Sequence, residues 1–204
     1  MQRYLESCKT EFWKKVFKAE ADYILNELKG TKDVLSVGCG PAIIERALSE
    51  HGFNITGLDI SQEALDQAPD NIRTVTGSAE KANFADSCFD AIIYVASLQF
   101  IKEHEKAVKE TARILKPGGK LVVMLLNPDS EFFKGKTKNP DSYLNSITNT
   151  NLTQIEHVIA EYFCIRTEYF LGIAGWRIFE SRDPKLVPFL LTEFRVCNDV
   201  CKYC

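Results

Sequence analysis

The chain has 204 residues, of which 45% are hydrophobic and 26% charged, and its formal net charge is −3 at pH 7. This composition is typical of a folded globular protein and excludes a disordered or collagen-like chain. The length suits one domain, which we predict over residues 1–204. The negative charge offers no large basic face, so we expect no nucleic-acid partner.

No apolar run approaches the roughly 20 residues that a membrane span needs, and the N-terminus lacks the apolar centre of a signal peptide. The seven cysteines are an odd number and most are scattered, which does not fit a secreted disulfide framework. We therefore predict a cytoplasmic protein with no membrane partner. The sequence leaves the oligomeric state open.

Hydrophobic periodicity predicts alternating helices and strands along the first two thirds of the chain. Residues 11–28 carry one apolar face and predict the main helix of an N-terminal cap, residues 1–30. Predicted strands follow at 33–37, 54–58, 72–76, 91–95 and 120–126, with helices at 41–51, 62–68 and 102–115. This alternation indicates an α/β fold with a parallel, doubly wound sheet and helices on both faces.

The pattern weakens beyond Asn127. Residues 127–151 are polar, contain two prolines and predict a long loop with at most one helical turn. Loops of this length in compact domains are often functional, so we interpret it as a substrate loop. Further on, the sequence predicts a helix at 152–162, strands at 164–171 and 176–180, and a C-terminal helix at 184–204 that carries a cysteine cluster.

Two glycines and one acid end the first two predicted strands. Ligands of open α/β sheets bind beyond the carboxyl ends of the strands, where Gly38 and Gly40 let the backbone approach a ligand closely. Asp59 ends the next strand, where a carboxylate accepts hydrogen bonds from ribose hydroxyls. These residues predict a cofactor that contains adenosine.

The glycine turn argues against a dinucleotide. A dinucleotide motif requires a third glycine where Ile43 stands, and Pro41 removes a backbone donor that a pyrophosphate would use. A cofactor without phosphate, such as S-adenosylmethionine (SAM), fits better.

Four segments resemble motifs of the class I SAM-dependent methyltransferases, in the family's order and spacing. They are the glycine turn at 34–42, the ribose-binding strand end at 57–61, the adenine-packing segment at 77–90, and the helix and turn at 110–121. They most resemble the small-molecule branch that includes the ubiquinone and menaquinone biosynthesis enzymes. The resemblance implies a Rossmann-like fold with a seven-stranded sheet, methyl transfer from SAM to a small-molecule substrate, and S-adenosylhomocysteine as product.

Carried onto this sequence, the resemblance implies nine cofactor-binding residues. They are Gly38, Cys39 and Gly40 along the methionine part, Asp59 on the ribose, Ile60 and Ala79 flanking the adenine, Ser78 and Glu80 near its edge, and Val95 beneath the cofactor. We expect Trp13 or Tyr4 to close the pocket from above.

Ser36 departs from the family pattern, which usually has an acid at that position beside the glycine turn and the ammonium end of methionine. A serine offers no charge. We therefore hypothesise that Glu11 or Glu20 on the first helix compensates.

No residue is predicted as a catalytic base. The three histidines, His51, His104 and His157, lie away from the strand ends and are expected on the surface. The residues expected to meet a substrate are Ser97, Gln99, Phe100 and Asn127, with Phe132, Phe133 and Tyr143 as an aromatic lid. Such a lid would suit an uncharged or aromatic substrate.

The cysteines at the C-terminus allow two interpretations. Cys197, Cys201 and Cys204 have a spacing that resembles the iron–sulfur motif of radical SAM enzymes, and three thiolates are enough to bind a metal with Cys8 or a water. The same spacing also places them on one face of a helix, where free cysteines pack as small hydrophobes. We favour packing and predict no metal.

Two other functions fit parts of this pattern. A nucleotide-cofactor oxidoreductase would share the glycine turn and the acid, although Pro41 and Ile43 disfavour it. A SAM-binding module without catalysis would keep the fold, and Ser36 together with the missing base leaves that alternative open.

Overall fold

The computed structural model of the chain describes the backbone of residues 10–196 and the side chains of residues 10–189. The strands are β1 Asp33–Val37, β2 Asn54–Asp59, β3 Arg73–Thr76, β4 Phe89–Val95, β5 Leu115–Leu126, β6 Phe163–Phe170, β7 Gly172–Ala174, β8 Arg177–Phe179 and β9 Phe189–Val196. The α-helices are α1 Glu11–Glu27, α2 Ile43–Glu50, α3 Gln62–Leu65, α4 His104–Ile114, α5 Glu131–Thr137 and α6 Leu152–Ala160. Single 3₁₀ turns lie at Ala79–Lys81, Leu98–Phe100 and Tyr143–Ser146.

The main sheet of the described residues has the strand order β3-β2-β1-β4-β5-β9-β6. The five strands β1 to β5 pair in parallel. Only β9 runs antiparallel, to both β5 and β6. The predicted mostly parallel α/β sheet is therefore confirmed. The chain leaves β1 toward β2 and β3 and later returns to β4 on the other side, so a crevice opens beyond the ends of β1 and β4.

Helices cover both faces of this sheet, because successive side chains of a strand point to opposite sides. Val34 packs with α1 and α2 in one core, and Leu35 packs with α4 and α6 in the other. Ser36 alternates with Leu35 and therefore faces the α1 and α2 side. This orientation matters for the site described below.

Local signals explain several helix ends. Thr10 Oγ1 accepts from the Trp13 N–H at 3.4 Å at the start of α1, and Ser61 Oγ accepts from the Ala64 N–H at 3.2 Å at the start of α3. Gly30, at a φ of +84°, follows α1 and provides the left-handed turn that ends it.

The prediction of a helix at 184–204 is wrong over residues 189–196, which form β9. The strand pairs with residues 120–126 of β5 and 163–170 of β6. Without β9, the backbone groups along this side of the buried β5 would have no partners, which is costly. This long-range pairing overrides the helical spacing of the apolar residues.

The predicted loop at 127–151 contains more structure than one turn. Helix α5 begins after Ser130, whose Oγ accepts from the Phe133 N–H at 3.2 Å, and a 3₁₀ turn follows at Tyr143–Ser146.

Within the described part of the chain, no helix is long and apolar enough to cross a membrane.

Candidate cofactor site

A large open cavity of about 1220 Å³ lies at the carboxyl ends of β1, β2 and β4. Pockets for small molecules usually enclose about 300–1,000 Å³, so this one has room for a cofactor and a second molecule. A smaller cavity of about 580 Å³ lies at the opposite end of the sheet, near Asp33 and Asn54. It contains none of the residues predicted for the site.

The turn after β1 brings its backbone into the large cavity. Gly38 has a φ of +71°, and a Cβ at this position would lie 2.5 Å from the Cβ of Ser97. Its N–H donates to the Leu58 carbonyl at 2.7 Å, which ties the turn to the end of β2. Gly40 also has a positive φ, +53°, but a Cβ there would meet open space. Glycine is thus required at 38 by both conformation and contact.

Asp59 connects the turn to the loop after β2. Its Oδ2 accepts from the Gly40 N–H and its Oδ1 from the Ser61 N–H, each at 2.8 Å. Each oxygen still has an unused lone pair. The carboxylate is therefore held rigidly while it remains able to accept from a ligand.

All nine residues predicted to bind the cofactor line this one cavity. Ile60 is 78% exposed, which is unusual for an isoleucine and leaves an apolar face at the cavity wall. The Ser78 hydroxyl accepts from the Glu80 N–H at 3.2 Å and donates to the Glu80 carboxylate. Cofactor contacts of these residues remain predictions.

Two buried carboxylates lie near the end of β1. Glu20 of α1 and Glu45 of α2 are each 3% exposed, and both line the cavity. Ser36 Oγ donates to Glu45 Oε1 at 2.5 Å. Of the two glutamates hypothesised to compensate for Ser36, Glu20 lines the cavity, whereas Glu11 is exposed and pairs with Lys14 away from it.

The sequence analysis missed Glu45. Its position in the sequence could have indicated it. Glu45 lies three residues before the buried Leu48, and therefore on the apolar face of α2. An acid on an apolar face is rarely buried without a specific reason.

Burial shifts the pKa values of these groups. It raises the pKa of Glu20 to about 8, and the nearby charge of Glu45 adds to the effect. Burial also raises the pKa of Glu45, although the Ser36 hydroxyl and backbone N–H groups oppose this by stabilising the carboxylate. For Cys39, burial and the charges of Glu45 and Asp59 raise the thiol pKa far above its ordinary value, so the thiol is neutral and not a nucleophile.

Aromatic side chains line the part of the cavity beside α1 and α5. Trp13 lines it and stacks on Phe17 at a centroid distance of 5.7 Å, with Phe132 edge-on at 6.0 Å. Phe100 stacks on Tyr143 at 6.1 Å in the same cavity. Tyr4, the alternative to Trp13, lies outside the described residues.

Three residues expected to meet a substrate or form the lid have structural contacts instead. Gln99 is fully buried and exchanges two hydrogen bonds with the backbone of Leu126. The Asn127 amide donates to two backbone carbonyls near β9. Phe133 packs in the core on the α1 side. None of the three lines the cavity.

The expectation that all three histidines lie on the surface is wrong for His104. It is 4% exposed, and neither ring nitrogen has a hydrogen-bond partner among the described residues. His51 and His157 are exposed. None of the three histidines lines the cavity, so none of them is placed to act as a catalytic base there.

The predicted cluster of Cys197, Cys201 and Cys204 lies outside the described residues, as does Cys8. Within residues 10–196, Cys39 and Cys88 are free thiols and Cys164 is disulfide-bonded. Among the described side chains, residues 10–189, no group of three potential metal-binding side chains occurs.

The sheet order, the glycine turn and the acid at the end of β2 define a Rossmann-like nucleoside-binding domain. Comparisons with known proteins make this more specific. Residues 35–123 match the model of a methyltransferase domain family. A ubiquinone biosynthesis O-methyltransferase from Coxiella burnetii is 34% identical over 107 residues, which cover 49% of this chain and 45% of that enzyme. The chain thus spans about half the length of the curated relatives it matches.

Solved structures share the fold over most of the chain. A SAM-dependent methyltransferase from Thermotoga maritima has a TM-score of 0.73 at 19% identity, with 89% of each chain covered. A phosphoethanolamine N-methyltransferase from Haemonchus contortus in complex with SAM has a TM-score of 0.60 at 24% identity, covering 74% of this chain and 38% of that one. Residues 35–123 therefore resemble a methyltransferase domain, and the chain shares the fold of SAM-dependent methyltransferases.

Proposed function

We propose that the protein, as one domain with a seven-stranded, doubly wound sheet, transfers a methyl group from SAM to a small-molecule acceptor and releases S-adenosylhomocysteine. The observation that carries this proposal is the Asp59 carboxylate, held by the Gly40 and Ser61 N–H groups at the edge of a cavity large enough for two molecules. The family match and the relatives support the same activity.

The residues present fit the cofactor. A Cβ on Gly40 would meet nothing within 4 Å, so the turn leaves open space for an extended ligand along its backbone. The free lone pairs of Asp59 suit ribose hydroxyls, and the exposed Ile60 and the methyl of Ala79 provide apolar faces for the adenine. Ser78 and Glu80 would lie near the adenine edge, and Val95 beneath the cofactor.

When bound, SAM supplies a methyl group on a positively charged sulfur, and in-line attack by the acceptor breaks the carbon–sulfur bond. The task of the protein is to hold the acceptor about 3–3.5 Å from that methyl carbon and in line with the bond. The aromatic side chains around Trp13 and Phe132 would orient the acceptor and exclude water. An acceptor proton that must leave would require a base, which the described histidines do not supply.

The acceptor fits best as a flat, mainly apolar molecule. Trp13, Phe17, Phe132 and Phe100 line its side of the cavity, with Tyr143 stacked on Phe100. Aromatic side chains stack well on flat ligands. The name of the Coxiella burnetii relative, an O-methyltransferase of ubiquinone biosynthesis, supports testing oxygen acceptors first.

Calorimetric titration with SAM and S-adenosylhomocysteine tests the cofactor site. We expect saturable binding that Asp59→Ala weakens at least tenfold, or about 1.4 kcal/mol. Asp70→Ala, which removes an exposed aspartate between β2 and β3, is the matched control and should leave affinity unchanged. Absence of SAM binding by the wild type would refute the proposal.

Turnover is tested separately, by measuring S-adenosylhomocysteine formation with a panel of flat phenols, amines and thiols. Product formation that requires Asp59 is the expected result. Tight cofactor binding without turnover on any member of the panel would instead favour the SAM-binding module without catalysis.

A further inference from the structure

Two neighbouring helices each contribute a buried carboxylate to the lining of the cavity. Glu20 comes from α1 and Glu45 from α2, and these helices pack side by side on the face of the sheet to which Ser36 points. Both carboxylates line the cavity although each residue is 3% exposed. They are close enough for the charge of one to affect the ionisation of the other.

Ser36 and the start of α2 make Glu45 the more acidic of the pair. Glu45 is the third residue of α2, where backbone N–H groups and the helix dipole stabilise a negative charge. The Ser36 hydroxyl donates a further hydrogen bond at 2.5 Å. Glu45 therefore ionises first, and its charge disfavours ionisation of Glu20.

Among the described residues, no basic side chain neutralises this pair. Within the described part of the chain, neither Glu20 nor Glu45 forms an ion pair. The other titratable groups that act on Glu45 or lie beside it are Asp59 and Cys39, which are acidic or neutral. On the aromatic side, Lys136 lies over the Trp13 and Phe132 rings. From β8, which also packs on α1, comes Arg177, whose side chain is exposed.

We propose that Glu20 and Glu45 form a cation subsite that holds the ammonium group of the bound cofactor, and that binding of the ammonium displaces one proton from the pair to the solvent. The inference rests on the proposed function. An ammonium group has three N–H donors and one positive charge, which match two electrostatically coupled carboxylates that have no basic partner among the described residues. The proton that Glu20 holds in the free protein passes to the buffer, and the ammonium takes its place.

The proposal predicts how affinity depends on pH. Below a pKa of about 8, binding must first remove the proton from Glu20, so affinity should rise as pH rises. Between pH 6 and 7 the expected gain is about tenfold, since one proton is released per ligand. The amino group of the ligand stays protonated over this range, because α-amino groups ordinarily titrate near 7.7–8.0 or above.

Calorimetry in two buffers of different ionisation enthalpy counts the protons released. At pH 7 we expect about 0.9 proton per SAM or S-adenosylhomocysteine for the wild type, from the fraction of Glu20 that is still protonated. The probe 5′-methylthioadenosine keeps the adenine and ribose but lacks the ammonium group, so it should release none. Glu20→Gln should release none with any ligand.

The variants locate the effect. Glu20→Gln should make SAM affinity independent of pH, so that the advantage of the wild type grows about tenfold from pH 6 to pH 7. Glu45→Gln should weaken SAM but not 5′-methylthioadenosine. Glu11→Gln is the matched control, because Glu11 lies on the same helix, is exposed and pairs with Lys14. It should behave like the wild type.

Wild-type binding of SAM without proton release, or unchanged SAM affinity in both Glu20→Gln and Glu45→Gln, would overturn the subsite and leave the proposed function intact. Absence of SAM binding by the wild type would overturn both. If either variant failed to fold, the proton count and the pH dependence of the wild type would still decide the question.

Discussion

Replacing Glu20 with glutamine is expected to stabilise the free protein at alkaline pH and to have little effect at pH 5. The pKa of Glu20 rises from 4.5 to about 8 on folding, because burial disfavours the charged form. Between these two values the folded protein keeps a proton that the unfolded chain has lost. The free energy of unfolding of the wild type therefore falls as pH rises through this window.

The size of the effect follows from the two pKa values. Each pKa unit corresponds to about 1.36 kcal/mol, so ionising Glu20 in the fold costs about 5 kcal/mol at most. Glutamine has nearly the same shape and no proton to lose. The variant should therefore gain most of this amount relative to the wild type by pH 8, and only about a sixth of it at pH 5.

Urea unfolding at pH 5, 6.5 and 8 measures the difference. Trp13, which lines the cavity, reports the transition by fluorescence, and equal slopes with urea would show that the unfolding reactions are comparable. Glu11→Gln serves as the control and should follow the wild type at each pH. The reasoning is refuted if wild type and Glu20→Gln differ by the same free energy at pH 5 and pH 8.

Four further substitutions test other parts of the structure. Gly38→Ala should destabilise the fold by about 3 kcal/mol, because the new Cβ combines a positive φ with a contact against Ser97. Gly40→Ala should cost only about 1 kcal/mol, because its Cβ meets open space. Equal losses of stability in urea unfolding would contradict this reasoning. His104→Leu should stabilise the fold by about 1–3 kcal/mol, since both ring nitrogens are buried without a partner in the part of the chain that the structure describes; a loss of stability on thermal unfolding would contradict this. Ser36→Ala should weaken SAM binding about tenfold, or 1.4 kcal/mol, by removing the hydrogen bond to a charged acid; unchanged calorimetric affinity would oppose it.

The sequence was sufficient to predict the central strands and the residues at their ends. Continuous apolar runs identify β1, β4 and β5, because a strand buried on both faces has few other sequence patterns available. The glycines after β1 and the acid after β2 are recognisable for a related reason. Their roles depend on backbone conformation and charge at fixed positions, which local sequence determines. All nine predicted residues consequently line one cavity.

The C-terminal strand β9 was not predictable in the same way. Its residues have a helical spacing of apolar side chains, and nothing nearby in the sequence indicates a strand. Its partners are β5, more than sixty residues earlier at the nearest pair, and β6. Propensity is a weak prior where such long-range hydrogen bonding and burial decide the conformation. Similarly, local sequence gave no sign that Gln99 and Asn127 bind backbone groups rather than a substrate.

The acid pair is a third case. The sequence indicated that the acid usual at the end of β1 is absent, but it did not indicate both of the residues that supply carboxylates nearby. Ser36 stands where an acid is usual, so the sequence indicates a missing charge at the end of β1. Among the acids of α1 considered as replacements, Glu20 lines the cavity. Glu45 escaped because its role depends on α2 turning back over β1 and on the hydroxyl of Ser36 reaching it.

A carboxylate that begins on α2 can act at nearly the same point in space as one that begins on β1, because the electric field at a ligand depends on where the charge is and not on which element carries it. A serine at the family's acidic position therefore does not by itself indicate a lost cofactor site. Here it is better understood as one half of a hydrogen-bonded pair, in which Ser36 fixes the orientation of Glu45 and Glu45 supplies the charge. The two positions should then vary together, and neither can be judged alone.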